Sequence, residues 1–385
     1  MIHRTAAARL IRLAKTFRSV AVVGPRQSGK TTLCKNVFPN KPYLSLENPD
    51  TLEYVKADPR GFLSQFKNGA ILDEIQRAPS VFSYLQQILD ETKKKGLFIL
   101  TGSNNFLLQE NITQTLAGRI AYQQLLPLSL QELKDVKKLK SEYAKHVWQG
   151  GYPEIVNTKI NASDWHAGYI STYVERDVRQ LKNISNLSQF TKLLRLCAGR
   201  TGQILNLTSF SNDCGIDQKT VAAWLSVLQS SYIIYLLKPY HGGFNKRITK
   251  TPKLYFYDTG VACSLLGITD AKQIATHAAK GALFENMIVS ELLKERFNIG
   301  ASDNLYYWRD KTGNEVDVLM DESGELTALE LKAGETISSD FFKGLEYFSS
   351  LTKKPVKQYL VYGGKQEQKR STGTTVIPWN KLMDR

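Results

Sequence analysis

The chain has 385 residues, enough for two or three domains, and its composition of 42% hydrophobic and 23% charged residues is globular. Its formal net charge of +15 points to a polyanionic partner, with nucleic acid first, although excess lysine also serves solubility. No apolar run is long enough to cross a bilayer and no signal-peptide core opens the chain, so we expect a cytoplasmic protein without a membrane partner. The cysteines are far apart, which argues against disulfides and a cysteine-based zinc site.

The first motif joins a buried strand to the start of a helix. After a short amphipathic helix at 4–17, residues 19–23 are apolar and rich in valine, which is typical of a strand buried on both faces. Residues 24–31 then match the pattern G-x-x-x-x-G-K-[ST] at every fixed position. Glycines let backbone N–H groups wrap closely around a phosphate chain, and the following helix adds its own free N–H groups.

This loop predicts a site for ATP and Mg²⁺. Lys30 is expected to reach the β- and γ-phosphates, and the Thr31 hydroxyl is expected to bind Mg²⁺. The alternative is a glycine-rich turn that contains a lysine by chance, which the flanking strand and helix disfavour. The residues predicted to bind the nucleotide are Gly24, Pro25, Arg26, Gln27, Ser28, Gly29, Lys30, Thr31 and Thr32.

Two acidic residues follow a later strand. A short strand is predicted at 42–46, and the apolar residues 70–72 run directly into Asp73 and Glu74. Ligands bind at the carboxyl ends of the strands in an open α/β sheet. Asp73 is therefore a candidate to hold Mg²⁺ through water, and Glu74 to orient the water that attacks the γ-phosphate. A surface turn would explain the acidic pair alone, but its place downstream of Lys30 favours the catalytic interpretation.

Polar residues also end the predicted strand that begins at Phe98. Ser103 or Asn104 is a candidate to hydrogen-bond the γ-phosphate or the attacking water, with a simple strand-end turn as the alternative for each. Arg119 is a candidate arginine finger that would stabilise the transition state at a neighbouring subunit's nucleotide. That role would require a homo-oligomer, and a solvated loop arginine is the alternative.

Seven stretches of the sequence carry a resemblance to a known group of proteins. They are residues 24–32, 72–76, 100–104, 116–119, 126–130, 150–154 and 173–178. Over nearly its whole length the chain resembles the prokaryotic AAA-type ATPases with a C-terminal domain of unknown function related to the PD-(D/E)xK restriction-endonuclease-like fold. The resemblance implies an ATPase in which Asp73 and Glu74 are the Walker B pair. It also implies that Asn104 is the sensor residue and Arg119 a finger candidate, and it says little about biological role.

A small helical lid is predicted at about 130–200. Within it, residues 131–147 are charged and compatible with a helix, and we expect their charges to form a solvated face. Arg176 and Arg179 lie on a later predicted helix. Arg176 could sense nucleotide from the lid, and an ion pair with a neighbouring carboxylate is the alternative.

The sequence pattern changes at about residue 205, and the residues that follow predict a helix-turn-helix. One helix begins at Leu207, Asp217 is placed to cap a second helix at 218–228, and two strands with a basic loop between them follow. Two strands and such a loop would form a wing, and its cations, Lys238, Lys246, Arg247 and Lys250, would suit phosphate contacts. Winged helices also bind proteins, so DNA and a protein partner both stay open.

The last third carries a second chemical constellation. Glu330 and Lys332 alternate onto one face of a predicted strand, and a hairpin-like return would bring Asp317 beside them. Metal-dependent nucleases use such carboxylates to hold Mg²⁺ and such a lysine to position water. Glu285, near the start of a predicted helix, would supply a further carboxylate. An ordinary solvent-facing strand, or a domain of this shape that has lost catalysis, is the alternative.

The predicted fold class is α/β in three modules: an AAA-type P-loop ATPase domain with a helical lid at 1–200, a winged helix-turn-helix at 201–270 and a restriction-endonuclease-like domain at 271–385. The predicted function is Mg²⁺-dependent ATP binding and hydrolysis with action on DNA. The alternative is a nucleotide-switched protein-interaction module with an idle nuclease-like domain. The residues predicted to act in ATP hydrolysis are Glu74, Lys30, Asn104 and Arg119.

Overall fold

The computed structural model describes residues 2–103, 116, 118–173, 184, 186–242, 250–322 and 324–385. The chain divides into two compact units. The first unit comprises Met1–Glu132, Ser230–Tyr232 and Lys294–Ser302. The second unit comprises Leu133–Gln229, Ile233–Leu293 and Asp303–Arg385.

The first unit is built on a five-stranded parallel sheet. Its strands are β1 (Ser19–Val23), β2 (Tyr43–Ser45), β3 (Ile71–Asp73), β4 (Phe98–Gly102) and β5 (Ile120–Gln124). Their order across the sheet is β2-β3-β4-β1-β5, and every neighbouring pair is parallel. The residues that follow β1, β3 and β4 therefore lie at one edge of the sheet, as the strand-end argument requires.

Five helices accompany this sheet along residues 2–103. They are α1 (Ala6–Thr16), α2 (Lys30–Val37), α3 (Pro49–Ala57), α4 (Pro59–Ser64) and α5 (Val81–Glu91). β1 is buried along its whole length, which confirms the predicted strand with two covered faces. Leu10 of α1 and Leu33 of α2 lie in one apolar cluster with Val20 and Val22. The helices that precede and follow β1 in the sequence therefore pack against it.

Ten further helices follow in the described residues. They are α6 (Leu130–Asp135), α7 (Tyr143–Gln149), α8 (Pro153–Asn157), α9 (Ala162–Thr172), α10 (Leu187–Gly199), α11 (Leu207–Cys214), α12 (Gln218–Ser230), α13 (Thr259–Leu265), α14 (Lys280–Ile299) and α15 (Lys343–Leu351). α11 and α12 stand where the helix-turn-helix was predicted, and Asp217 accepts hydrogen bonds from the N–H groups of Lys219 and Thr220 as its capping role requires.

One residue of the charged segment 131–147 departs from the expected solvated face, whereas Lys134, Asp135, Lys137, Lys138 and Lys140 are exposed. The segment forms α6 and α7 with a break between them, where Lys137 has a left-handed φ of +56°. Its charges do not all face solvent, because Glu132 is only 1% exposed. Glu132 is buried because it pairs with Arg4, a partner that lies outside the segment and that local periodicity does not reveal.

The second unit contains an eight-stranded sheet. Its strands are β6 (Ile234–Pro239), β7 (Lys253–Phe256), β8 (Leu305–Arg309), β9 (Glu315–Glu322), β10 (Glu325–Lys332), β11 (Val356–Tyr362), β12 (Gln368–Lys369) and β13 (Thr375–Pro378). Their order is β12-β13-β11-β10-β9-β8-β6-β7, with β8-β9-β10 an antiparallel meander and β11 parallel to β10.

The two strands predicted to form a wing are β6 and β7, which pair antiparallel. β6 also pairs with β8 through Lys238 and Tyr306, so this hairpin is the edge of the eight-stranded sheet and not a separate pair. Lys246 and Arg247 of the predicted basic loop lie outside the described residues. Among the residues described, no helix is both long and apolar enough to cross a membrane.

Candidate functional site

The glycine-rich loop lies between the end of β1 and the first residue of α2. Gly29 caps α2 with a left-handed φ of +93°, and Gln27 is left-handed as well at +58°. Gly24 has φ +155°, and a Cβ there would stand 2.1 Å from the carbonyl oxygen of Leu125. Only glycine fits at position 24, because the loop passes directly against the backbone that leaves β5.

Lys30 is held inside this loop. Its ammonium donates hydrogen bonds to the carbonyl oxygens of Gly24 at 3.0 Å and Pro25 at 2.7 Å, and the residue is only 5% exposed. Burial lowers the pKa of Lys30, while the carboxylates of Glu74 and Asp73 act in the opposite direction. A cation surrounded by the loop backbone is well placed to receive the phosphate oxygens of a nucleotide.

The two residues predicted to bind Mg²⁺ touch one another. Thr31 Oγ1 donates a hydrogen bond to Asp73 Oδ2 at 3.0 Å, and the Tyr43 hydroxyl donates to the same oxygen at 2.7 Å. Thr101 Oγ1 bonds the other oxygen, Oδ1. Burial and the bond to Asp73 raise the pKa of Tyr43, so its hydroxyl keeps the proton that it donates. The donor set of hydroxyl and carboxylate oxygens suits Mg²⁺, and Tyr43 and Thr101 fix the carboxylate orientation.

Glu74 follows Asp73 in a strained backbone position. Its φ is +54°, in the left-handed region, and a 3₁₀ turn at Ile75–Arg77 begins directly after it. Ser103 Oγ donates a hydrogen bond to Glu74 Oε2 at 2.9 Å, and the amide of Gln76 bonds the same oxygen. Ser103 thus contacts the carboxylate predicted to orient water. Asn104, the predicted sensor, lies outside the described residues, as do Arg176 and Arg179.

Arg119 lies at the amino-terminal ends of the strands, opposite the carboxyl ends that the phosphate-binding loop follows. It directly precedes β5, whose first residue Ile120 is level with Ser19 at the start of β1, whereas the phosphate-binding loop follows the end of β1. Its guanidinium pairs with both carboxylate oxygens of Asp90, at 2.5 Å and 2.9 Å. The structure therefore does not bring Arg119 to the nucleotide loop of its own chain.

The C-terminal constellation is brought together by the β9–β10 hairpin. Because Val318 is level with Leu329, the Asp317 carboxylate reaches β10, where Oδ2 accepts the N–H of Leu331 at 2.8 Å. Lys332 Nζ lies 2.6 Å from Glu330 Oε1.

Glu285 of α14 joins this group through a lysine that the sequence analysis did not identify. Lys253 Nζ lies 2.9 Å from Glu285 Oε1 and also pairs with Glu315. The Tyr255 hydroxyl donates a further hydrogen bond to Glu285. The sequence contained one signal for this role, because Lys253 begins an otherwise apolar strand and a buried lysine requires a carboxylate partner. Glu315 shares a strand face with Asp317 by alternation, and this second signal was also present.

The electrostatics of this group favour protonated or lysine-paired carboxylates. Burial, followed by repulsion from Asp317, raises the pKa of Glu285 to about 7. The same two causes raise the pKa of Glu330 to about 8, and its Oε2 has no hydrogen-bond partner among the described residues. Within the described ranges, no group of three or more histidine, cysteine, aspartate or glutamate side chains is arranged to hold a metal ion. The negative charge of these carboxylates is instead balanced by the ammonium groups of Lys253 and Lys332.

Three family models match the chain. Residues 16–134 match the model described as AAA domain. This match confirms the AAA-type ATPase-like domain that the resemblance implies, and it implies nucleotide binding. Residues 140–272 and 280–382 match two domains of unknown function, DUF8612 and DUF4143. The nuclease-like fold and the winged helix therefore stay predictions.

Two curated relatives cover most of the chain. The uncharacterized proteins Rv2008c of Mycobacterium tuberculosis and Mb2031c of Mycobacterium bovis are each 30% identical over 340 residues, which is 87% of this chain and 75% of each relative. The chain belongs to the same family as these mycobacterial proteins. A solved structure, the Walker-type ATPase paby2304 of Pyrococcus abyssi, is similar with a TM-score of 0.47 and 15% identity, over 69% of this chain and 96% of that one.

The raised pKa of Glu330 predicts a pH-dependent stability. Its carboxyl group keeps a proton in the folded chain up to about pH 8, whereas in the unfolded chain it ionises near its ordinary value of 4.5. The folded state therefore binds more protons between these values, and stability falls as the pH rises from 5 to 8. Differential scanning fluorimetry should show that Glu330→Gln reduces this fall by at least about 2–4 °C, the shift that about 1 kcal/mol gives in a domain of this size. Glu346→Gln, at an exposed position of α15, is the control, and an unchanged pH slope in Glu330→Gln would contradict the prediction.

Proposed function

We propose that the chain is a Mg²⁺-dependent ATPase that acts on DNA. The observation that carries the proposal is the direct contact between Thr31 and Asp73 beside the buried Lys30. A hydroxyl at the start of α2 and a carboxylate at the end of β3 come from separate segments, and the parallel sheet places them at one point. This is the arrangement that a metal-bound nucleotide requires.

Each residue of this site has a distinct part in the proposed reaction. Lys30 and the N–H groups of the loop bind the β- and γ-phosphates, and Thr31 with Asp73 would hold Mg²⁺, which neutralises charge on the phosphates when bound. Glu74 orients the attacking water and accepts its proton. Ser103 positions the Glu74 carboxylate through its hydrogen bond. Asn104 is proposed to add the sensor contact.

The proposal of DNA as the partner rests on charge and on the helical pair. The chain carries a formal net charge of +15, and α11 and α12 follow the helix-turn-helix pattern with Asp217 capping the second helix. Lys238, near the end of β6, and Lys250, shortly before β7, are both exposed. The proposed winged helix-turn-helix spans 201–270, between an ATPase domain with its lid at 1–200 and a restriction-endonuclease-like domain at 271–385. Its wing strands β6 and β7 also form the edge of the C-terminal sheet.

The C-terminal carboxylates support a nuclease-like site as a finer part of this proposal. Asp317, Glu330 and Lys332 lie on adjacent strands, with Glu285 tied to them through Lys253. In such a site the carboxylates would hold a divalent cation, and Lys332 would position the attacking water. A cation that bound there would have to displace lysine ammonium groups from the carboxylates.

The need to displace these lysine ammonium groups favours a second candidate function. Because Lys253 and Lys332 already compensate the carboxylates, the C-terminal domain is also compatible with an idle nuclease-like fold that binds protein. In that case the chain is a nucleotide-switched interaction module whose turnover does not respond to DNA. The two candidates share the ATPase and differ in the partner.

Loss of Lys30 should abolish turnover. Steady-state ATP hydrolysis with Mg²⁺ is expected to fall at least about a hundredfold in Lys30→Ala, because a buried cation that stabilises phosphate charge is removed. Lys56→Ala, an exposed lysine on α3, should hydrolyse ATP as the wild type does. If Lys30→Ala retains wild-type turnover, the ATPase proposal is wrong.

The same assay with duplex DNA separates the two candidate partners. Action on DNA predicts stimulated turnover, and retention of the protein on DNA that weakens steeply as salt is added. Turnover that is indifferent to DNA, together with no salt-sensitive retention, would instead support the protein-interaction module.

A finger role for Arg119 predicts normal nucleotide binding with slow hydrolysis. Since the guanidinium lies away from the loop of its own chain, it would act on a neighbouring subunit of a homo-oligomer. Arg119→Ala should therefore bind ATP as the wild type does and hydrolyse it about a thousandfold more slowly. Asp90→Asn removes the charge of the observed partner and serves as the matched control. Normal turnover in Arg119→Ala would remove the residue from the site.

The nuclease-like site predicts cleavage that depends on Asp317. If the wild type cleaves DNA in the presence of Mg²⁺ or Mn²⁺, Asp317→Ala should lose that cleavage. The substitution removes the carboxylate of β9 that contacts β10. Asp321→Ala, on the same strand with a partly exposed carboxylate, should keep it. Cleavage that survives in Asp317→Ala would contradict this site, and an uncleaved substrate with the wild type would favour the idle domain.

A further inference from the structure

Arg4 is a buried arginine in front of α1 that contacts the phosphate-binding loop. The residue is 7% exposed. Its Nη1 donates a hydrogen bond to the carbonyl oxygen of Ser28 at 2.7 Å, and Nη2 donates to the carbonyl oxygen of Leu126, also at 2.7 Å. Nε donates to Glu132 Oε1 at 3.0 Å. The planar guanidinium thus joins the loop, the segment after β5 and a carboxylate.

Glu132 is built to hold this arginine. It is 1% exposed, and besides Arg4 it accepts the N–H of Thr5 at 2.8 Å and the N–H of Ser129 at 3.0 Å. A buried ion pair whose other oxygen sites are also satisfied is firmly oriented. The guanidinium therefore presents its two remaining nitrogens, Nη1 and Nη2, in fixed directions.

The contact with Ser28 controls a neighbouring N–H group. Ser28 and Gly29 share one planar trans peptide unit, in which the carbonyl and the following N–H point in opposite directions. When Arg4 fixes the Ser28 carbonyl, the Gly29 N–H is directed away from the guanidinium. A charged donor on the carbonyl also polarises the peptide and makes its N–H a stronger donor.

The loop is held against the same segment at its other end. Val23 O accepts the N–H of Leu125 at 2.8 Å, and Gly24 leaves no room for a Cβ beside the Leu125 carbonyl. Arg4 connects Ser28 to the next residue, Leu126. The two ends of the loop are therefore held against two consecutive residues, Leu125 and Leu126. Arg4 makes the connection at the end nearest Lys30.

We propose that Arg4 is a positioning residue for nucleotide binding, which fixes the Ser28–Gly29 peptide so that the Gly29 N–H faces the phosphates. Arg4 touches neither substrate nor Mg²⁺ in this role. It acts through the loop backbone, and Glu132 acts by orienting Arg4. The inference rests on the proposed ATPase function, because it concerns the phosphates of the same nucleotide.

The experiment compares MgATP affinity with stability in four variants of the full chain. Arg4→Lys keeps a positive charge for Glu132 but loses the fork that spans two carbonyl oxygens. Arg4→Gln leaves the Glu132 carboxylate buried without its cation and should lower the unfolding midpoint. The double variant Arg4→Gln/Glu132→Gln removes both charges and should recover that midpoint. Arg12→Gln, at an exposed position of α1, the helix that follows Arg4, is the control.

Isothermal titration with MgATP and thermal unfolding without nucleotide give the two readouts. Arg4→Lys and the double variant should bind MgATP about ten- to a hundredfold more weakly than the wild type, with unfolding midpoints close to the wild-type value. Arg12→Gln should change neither quantity. If the double variant does not fold, Arg4→Lys alone decides by the same criterion.

Two results would overturn the proposal, and they differ from failure of the ATPase function. Wild-type affinity in Arg4→Lys, or affinity that is restored together with stability in the double variant, would show that Arg4 only stabilises the fold. A wild-type chain that binds no MgATP would instead overturn the proposed function itself, and this inference with it.

Discussion

The parallel alignment of β1, β3 and β4 is the constraint on which the candidate nucleotide site depends. Because Val23 is level with Gly102, and Leu72 with Leu100, the loops that follow these strands meet at one edge. Hydroxyl and carboxylate groups from distant parts of the chain then lie within hydrogen-bond distance of one another. A shift of one residue in this register would turn each polar group to the other face.

Buried cations with carboxylate partners recur in both units. Arg4 pairs with Glu132 in the first unit, and Lys253 pairs with Glu285 in the second. A buried charge without its partner is costly, so each pair constrains the segments that supply it. In the first unit that constraint reaches the phosphate-binding loop through Ser28. In the second unit it draws α14 to the edge hairpin of the sheet, because Lys253 lies on β7.

The two carboxylate groups differ in how they are compensated. Asp73 accepts hydrogen bonds from three hydroxyl groups, of Thr31, Tyr43 and Thr101, which orient its carboxylate without an ammonium partner among those donors. Glu330 lies beside a lysine, and burial raises its pKa to about 8. The first environment suits a divalent cation as it stands, whereas the second requires ammonium groups to move first. This contrast favours the proposed nucleotide site over the nuclease-like site as a place for Mg²⁺.

The sequence by itself determined the phosphate-binding loop, the acidic strand end and four of the five strands of the first sheet, because each depends on residues close together in the chain. Periodicity and the glycine pattern report such local structure directly. Only the tertiary structure decided that Arg4 meets Glu132, 128 positions away, that Tyr43 holds Asp73, and that Lys253 lies among the C-terminal carboxylates. It also joined the predicted wing to the C-terminal sheet, through β6 and β8. These contacts depend on which strands and helices become neighbours, and no local pattern in a single sequence contains that choice.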